Sequence, residues 1–333
     1  MSAGAPAGRA AAAAPPAGSP ASAGGGRARR DPIGYAIVLV SYLLMAGTAP
    51  LVAWANAPEA IILALRMAFA AVALGAVFLR RPMIADWRRP GAAWRLLLMA
   101  AMSSVTLLLY FYAVLHTSVA IAIFFLFLMP VWVALYAPRI FRSPREPIVW
   151  PALGLALAGL LVLLVPDLLG EGVKLSLAGI LAALFTGFGY ATYTVSVKGL
   201  TKIVSSATIS MAEAAGDTLF VLPLALWQFH STGFQFDSRT WISAAIMGLV
   251  CTAVAYTLWI DGTRRVRVEH VTILGYIEPV AGPLYAIFLV GQLPGVWTVV
   301  GGALILAAGL LVVVFGRGEG EASVAAASEP EPL

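Results

Sequence analysis

The sequence predicts an all-α membrane protein in which ten transmembrane helices form two five-helix repeats of opposite orientation. Three observations carry this. Hydrophobic residues make up 61% of the 333 residues and charged residues 11%, with a mean hydropathy of +0.91. A soluble domain carries about 45–50% apolar and about 25% charged residues. The apolar residues fall into ten segments, each long enough to cross ~30 Å of hydrocarbon at 1.5 Å per residue. Marker residues of the first five segments recur in order in the last five. The composition excludes a water-soluble enzyme, and it excludes intrinsic disorder for all but the ends. The single cysteine, Cys251, lies in an apolar run, so an intrachain disulfide and a cysteine-based metal cluster are excluded. No cofactor and no metal are expected.

Taken in order, residues 1–31 are rich in Ala, Pro, Gly and Ser and read as a disordered cytoplasmic tail. The tail's Arg27, Arg29 and Arg30 directly precede the first apolar run, whereas a secretory signal places its charges first. The spans follow at 34–55, 60–79, 94–115, 119–136 and 148–165, then at 175–195, 208–229, 241–260, 271–290 and 297–315. Residues 32–166 make the first repeat and 167–316 the second, and 317–333 form another disordered tail. The short linkers leave no room for a soluble domain.

Lys and Arg set the orientation. With the N-terminus inside, the inner segments hold Arg9, Arg27, Arg29 and Arg30, then Arg80, Arg81, Arg88, Arg89 and Arg95. Further along they hold Arg139, Arg142, Arg145, Lys198, Lys202, Arg264, Arg265, Arg267 and Arg317. The outer loops hold only Lys174 and Arg239. This asymmetry predicts both termini in the cytoplasm and a multi-pass protein of the cell (inner) membrane. Adding or removing one span would swap the side of every later loop. The net charge of +5 therefore reads as topology, and no nucleic-acid partner is expected.

The repeat is anchored by unlike residues. Gly34 matches Gly179, Ala46 matches Ala191, Trp94 matches Trp241, Pro130 matches Pro279, and the run from Trp150 matches that from Trp297. Five spans per half is an odd number, so the halves lie in the membrane upside down relative to each other. That architecture places a substrate site near the midplane between the halves.

Two stretches carry a family resemblance. "AYTLWIDGTRRVRVEHVTILGYIEPVAGPLYAIFLVGQ", followed by "GGALILAAGLLVVV", resembles the closing repeat of the EamA family of the drug/metabolite transporter (DMT) superfamily. "LLLYFYAVLHTSVAIAIFFLFLMPVWVALYAPRIF" resembles the same unit in the first half. The similarity covers nearly all of residues 32–315. It implies ten helices in two inverted repeats and the export or exchange of small metabolites, often amino acids. The sequence departs from the family at Gln292, where relatives commonly carry Glu after Gly. The first repeat has no Gly-Glu pair there, and Glu146 is the nearest acid.

Four ionisable residues lie within spans: Arg66, Glu213, Asp217 and Glu278. A charge at the bilayer centre costs about 2.5–3.5 kcal/mol, so such residues must face a wet cavity or pair. Glu278 lies about eight residues, ~12 Å, into the ninth span. Pro279 and Pro283 follow it and free the carbonyls of Gly275 and Pro279. A broken helix beside a carboxylate suits a coupling ion or a substrate amine. The alternative is a structural kink with Glu278 bonded to a hydroxyl or water. Met129 is its counterpart in the first half. Glu213 and Asp217 share a helix face. Arg66 is the repeat counterpart of Glu213 and is expected to pair with one of the two, as a gate or a structural tie.

Tyr190 and Tyr193 share a face of the sixth span. Tyr110, Tyr112, Phe124, Phe125, Tyr256, Trp259 and Tyr276 lie in helices expected to line the cavity. A tyrosine offers a ring and a hydroxyl to an amphipathic solute; plain helix packing is the alternative. Gly301, Gly302 and Gly309, with Ala303, Ala307 and Ala308, suit close helix contact or a homodimer face. Arg264, Arg265 and Arg267 read as an anchor to anionic lipid, with a cytoplasmic gate as the other reading.

These residues predict a secondary transporter that exports or exchanges small metabolites, amino acids or related amphipathic solutes, by alternating access, with a small-molecule solute and the lipid bilayer as partners. A membrane-embedded enzyme would place paired carboxylates and histidines at membrane level, but His116, His230 and His270 sit at span ends or in loops. No metal spacing, P-loop or nucleophile elbow occurs. A channel would show a repeated polar ring. A sugar-phosphate or nucleotide-sugar antiporter would need several midplane basic residues, and only Arg66 is there. ATP is not the drive; a proton gradient or exchange remains.

Overall fold

A computed structural model describes residues 31–55, 57–78, 83–117, 119–169, 176–291 and 295–317. Both tails, Arg80, Arg81, Lys174 and Gln292 lie outside the described residues. The first expected span is two helices, α1 (Pro32–Ala46) and α2 (Thr48–Ala55). Asp31 caps α1 by accepting from the Gly34 amide at 3.0 Å, with Pro32 in the first turn where no donor is needed. Then come α3 (Glu59–Phe78), a short α4 (Met83–Trp87) and α5 (Ala92–His116). The fourth span is α6 (Val119–Leu126) and α7 (Met129–Ile140), and α8 (Val149–Leu169) completes the first half.

The second half begins with α9 (Leu177–Leu200), capped by Ser176, and α10 (Ser206–Thr232), capped by Ser205. The eighth span runs as α11 (Ser238–Ile246), a π-helical segment (Met247–Val254) and α12 (Ala255–Arg265). Next are α13 (Val268–Leu274), a 3-10 turn (Gly275–Ile277) and α14 (Glu278–Val290), then α15 (Val296–Phe315).

Among the described residues, nine helical stretches are long and apolar enough to cross a membrane. The expected ninth span, 271–290, is not counted among them, because Ala286, Leu289 and Val290 lie outside the residues whose side chains are described. Its helix changes at Gly275–Ile277 because Pro279 has no N–H for the Gly275 carbonyl. It restarts at Glu278 with the proline in the first turn. The first half does the same: a turn at Phe127–Leu128 separates α6 from α7, which restarts at Met129 with Pro130 in its first turn.

The two breaks touch. The Tyr276 hydroxyl donates to the Phe127 carbonyl at 2.5 Å, and the two rings lie 5.5 Å apart. Gly275 has no Cβ to spare, because one would lie 2.9 Å from Cζ of Tyr42.

The broadest helix contacts join α8 to α15, α5 to α9, α3 to α10 and α1 to α12. Local contacts recur across the halves. A Cβ on Gly34 would lie 2.9 Å from Cβ of Arg265, and one on Gly179 would lie 2.6 Å from Cγ2 of Thr117. The small residues of α15 serve packing inside the chain: Gly301 lies against the Gly159 carbonyl, and Gly301, Gly302 and Ala308 are buried. Large apolar side chains cover the outside, with Trp94 at 65% and Phe288 at 87% exposure. Such a rim suits lipid.

Candidate functional site

The breaks bring polar residues of the second half against α1 and α3. Glu278 is the first residue of α14. The residue is only partly buried, and its carboxylate makes no hydrogen bond or ion pair among the described residues. It lies within electrostatic range of Tyr42 on α1, Arg66 on α3, Tyr190 on α9 and Tyr256 on α12. Pro279 sets the break beneath it. Glu213 and Asp217, one turn apart on α10, are both buried. Asp217 is satisfied by α5, since the Ser104 hydroxyl donates to Oδ1 at 2.9 Å and Ser103 to Oδ2 at 3.2 Å. Glu213 has only the Tyr193 hydroxyl beside it: Oε2 and that hydroxyl are both buried, and they face each other without forming a hydrogen bond of good geometry.

Arg66 does not form the expected ion pair with Glu213 or Asp217. Its Nε donates to Oγ1 of Thr252 at 2.8 Å, and among the described residues it makes no direct salt bridge. The reason lies in the eighth span. Thr252 sits in the π-helical segment, and Gly248 in that segment lets α3 approach so closely that a Cβ there would lie 2.6 Å from the Arg66 carbonyl. Arg66 still acts on Glu213, Asp217 and Glu278 at longer range.

The aromatic residues divide. Tyr193 is fully buried and stacked, 5.5 Å from Tyr190 at 9° and 6.1 Å from Trp259 at 3°. Trp259 Nε1 donates to the Tyr42 hydroxyl at 2.8 Å. Tyr190, at one end of the stack, and Tyr256 keep accessible surface and lie within electrostatic range of Glu278. Tyr276 points to the other break and Tyr110 packs with Phe125, Ala113 and Ala183, so neither joins the carboxylates. Tyr42, Ser103, Ser104 and Thr252 belong to the cluster and were not singled out from the sequence. Among the described residues no group of three or more His, Cys, Asp or Glu side chains is placed to hold a metal.

A second polar cluster lies near Asp31 and Arg317, and it corrects the lipid-anchor reading of Arg267. That side chain is only 4% exposed; its Nη2 lies 3.3 Å from Glu269 and its Nε 3.4 Å from Glu146. Arg264 and Arg265 remain at the surface, where Arg264 donates to the Val204 carbonyl and Arg265 pairs with Asp31 and Asp261. His270 is fully buried, with Nε2 2.8 Å from Glu146 and Nδ1 2.6 Å from the Tyr35 hydroxyl. The backbone N–H of Arg317 also donates to Glu146. Burial alone would raise the Glu146 carboxyl. The hydrogen bond with His270, the Arg317 amide and the Arg267 charge outweigh it and hold the group below the ordinary carboxylate range. Lys198, expected in a loop, is buried in the last turn of α9 and donates to the Thr263 and Val266 carbonyls at the end of α12.

Membrane-length helices that break around buried charge define a polytopic membrane protein of the transporter class. The model of the EamA-like transporter family matches residues 32–165 and 177–314, and the chain belongs to that family, within the DMT superfamily. An uncharacterized transporter of Archaeoglobus fulgidus is 25% identical over 66% of this chain and 78% of its own length. A second from that organism is 31% identical over 65% and 75%. The uncharacterized transporter YwfM of Bacillus subtilis is 30% identical over 49% and 53%. One solved crystal structure superposes with a TM-score of 0.71 over 86% of this chain and 98% of that chain. At 19% identity it speaks for the fold alone.

Proposed function

We propose that the protein is a secondary carrier, not an enzyme, which exports or exchanges small amphipathic metabolites such as amino acids by alternating access. Ten spans in two inverted halves would hold the solute between them. The observation that carries this reading is the cluster beside the second break: three carboxylates lie within electrostatic range of the one guanidinium of Arg66, Tyr190 and Tyr256 lie within range of Glu278, and the Glu278 carboxylate makes no hydrogen bond or ion pair among the described residues. Holding such charge in a membrane is costly unless it is used. An excess of acid over base favours an ammonium group or a coupling proton, and the rings favour an apolar body. The recurring contacts at Gly34 and Gly179, and the touching breaks, support the inverted halves. Asp31 and Arg317 both contact the α12–α13 corner or Glu146 beside it, which supports termini on one face, the cytoplasmic one by the arginine distribution.

The test is flux in proteoliposomes against an amino-acid and drug panel, with and without a proton gradient. A gradient-driven flux that Glu278→Gln abolishes is expected. Unchanged flux in that variant would remove Glu278 from the mechanism.

A further inference from the structure

The cluster around Glu146 ties four parts of the chain that are remote in sequence. Glu146 lies between α7 and α8, Tyr35 on α1, Arg267, Glu269 and His270 at the start of α13, and Arg317 just past α15. Arg267 also donates to the Pro144 carbonyl at 3.0 Å. Two elements run from this cluster toward the central carboxylates. Tyr35 and Tyr42 lie two turns apart on α1, and Tyr42 packs against Gly275, next to Tyr276. His270 and Glu278 sit on the two arms of the same broken helix. Between the two clusters, Val38, Trp259, Val266, Val271 and Leu274 are all packed in one apolar core. These five side chains are buried, whereas Glu278, Tyr190 and Tyr256 keep accessible surface.

The network is incompletely satisfied. Nε and Nη1 of Arg267 are buried without a hydrogen bond, although Nε faces Glu146 at ion-pair distance. Two carboxylates, Glu146 and Glu269, share that one guanidinium. A partly satisfied buried ionic network is poor glue compared with apolar packing. Its chemistry suits a contact that must close and reopen. Resting on the carrier reading above, we propose that Glu146 is the hub of a gate at the Asp31–Arg317 end, and that solute passes that end only when Glu146 releases His270 and Arg267. The first repeat carries this acid, and residues 291–296, the matching stretch of the second, carry none.

The experiment needs no solute. In full-length protein with Cys251→Ala, which removes the single cysteine, Val38→Cys reports access from that end. A membrane-impermeant maleimide is added from the side bearing the termini, to protein in liposomes. Slow labelling is expected with the gate intact. Glu146→Gln should raise the rate about tenfold, the effect of one charged hydrogen bond on a two-state equilibrium. Tyr35→Phe, a milder change that keeps the fold if Glu146→Gln does not, should raise it less. Labelling at the intact rate in folded Glu146→Gln, or in Tyr35→Phe if the first variant does not fold, overturns the gate. Loss of flux in the panel assay, by contrast, bears on the carrier reading alone.

Discussion

Residues 119–140 and 268–290 are both helices that break one or two residues before a proline, yet Met129 occupies in one the place that Glu278 holds in the other. The backbones agree because proline dictates them: Pro130 and Pro279 each remove a donor and sit in the first turn of the restarted helix. The chemistry differs because side chains are free to diverge once the break exists. Met129 is buried and receives the Thr194 hydroxyl on its sulfur at 3.5 Å. Glu278 keeps accessible surface among tyrosines and within reach of Arg66. A repeated fold thus supplies two equivalent breaks, and only one is charged. The break is shared architecture, and the carboxylate is what sets the second half apart.

The comparison can be broken most severely from the second half. Glu278→Met makes the two breaks alike; gradient-driven flux in proteoliposomes should fall to the protein-free background while the purified protein stays folded. Next comes the reverse change. Met129→Glu buries an acid with no cation provided for it and should cost about 2.5–3.5 kcal/mol, read as a lowered thermal midpoint. Combined with Glu278→Met, it should not restore flux, because Arg66 and the tyrosines belong to the other break.

The ends of the halves differ as well, and acid exposes this. The Glu146 carboxyl is held below its ordinary range in the fold, so its stabilising contribution is complete above that range and is lost as pH falls through the lowered value. A stability profile should drop on acidification, and Glu146→Gln should flatten it by about 2 kcal/mol, the worth of a charged hydrogen bond. The smallest effect is at the contact between the breaks. Tyr276→Phe removes one hydroxyl bond to the Phe127 carbonyl but keeps the ring contact, and should cost about 1 kcal/mol in thermal unfolding.

What the sequence made legible was local. A charge or a proline inside an apolar run is visible without partners, and Glu278, Glu213, Asp217, Arg66 and the break at Pro279 were found that way; the break before Pro130 was not, although that proline marked the repeat. The partners were not visible. Tyr42, Ser103, Ser104 and Thr252 meet the charged residues across long stretches of chain. A hydroxyl in an apolar helix raises no alarm, because it can bond to a carbonyl one turn back. The π-helical segment has no sequence mark, yet it carries the Thr252 hydroxyl that Arg66 meets in place of a carboxylate. Arg267 was misread because it stands in a basic run; burial, which separates it from Arg264 and Arg265, is a tertiary property.

The account rests on the halves being inverted, and topology tests that most directly. Arg142 follows the broken helix of the first half and Gly295 that of the second, and both are exposed. Introduced singly as Arg142→Cys and Gly295→Cys in the Cys251→Ala protein, the two cysteines should react with an impermeant thiol reagent from opposite faces of the membrane. Reaction of both from the same face would contradict the account.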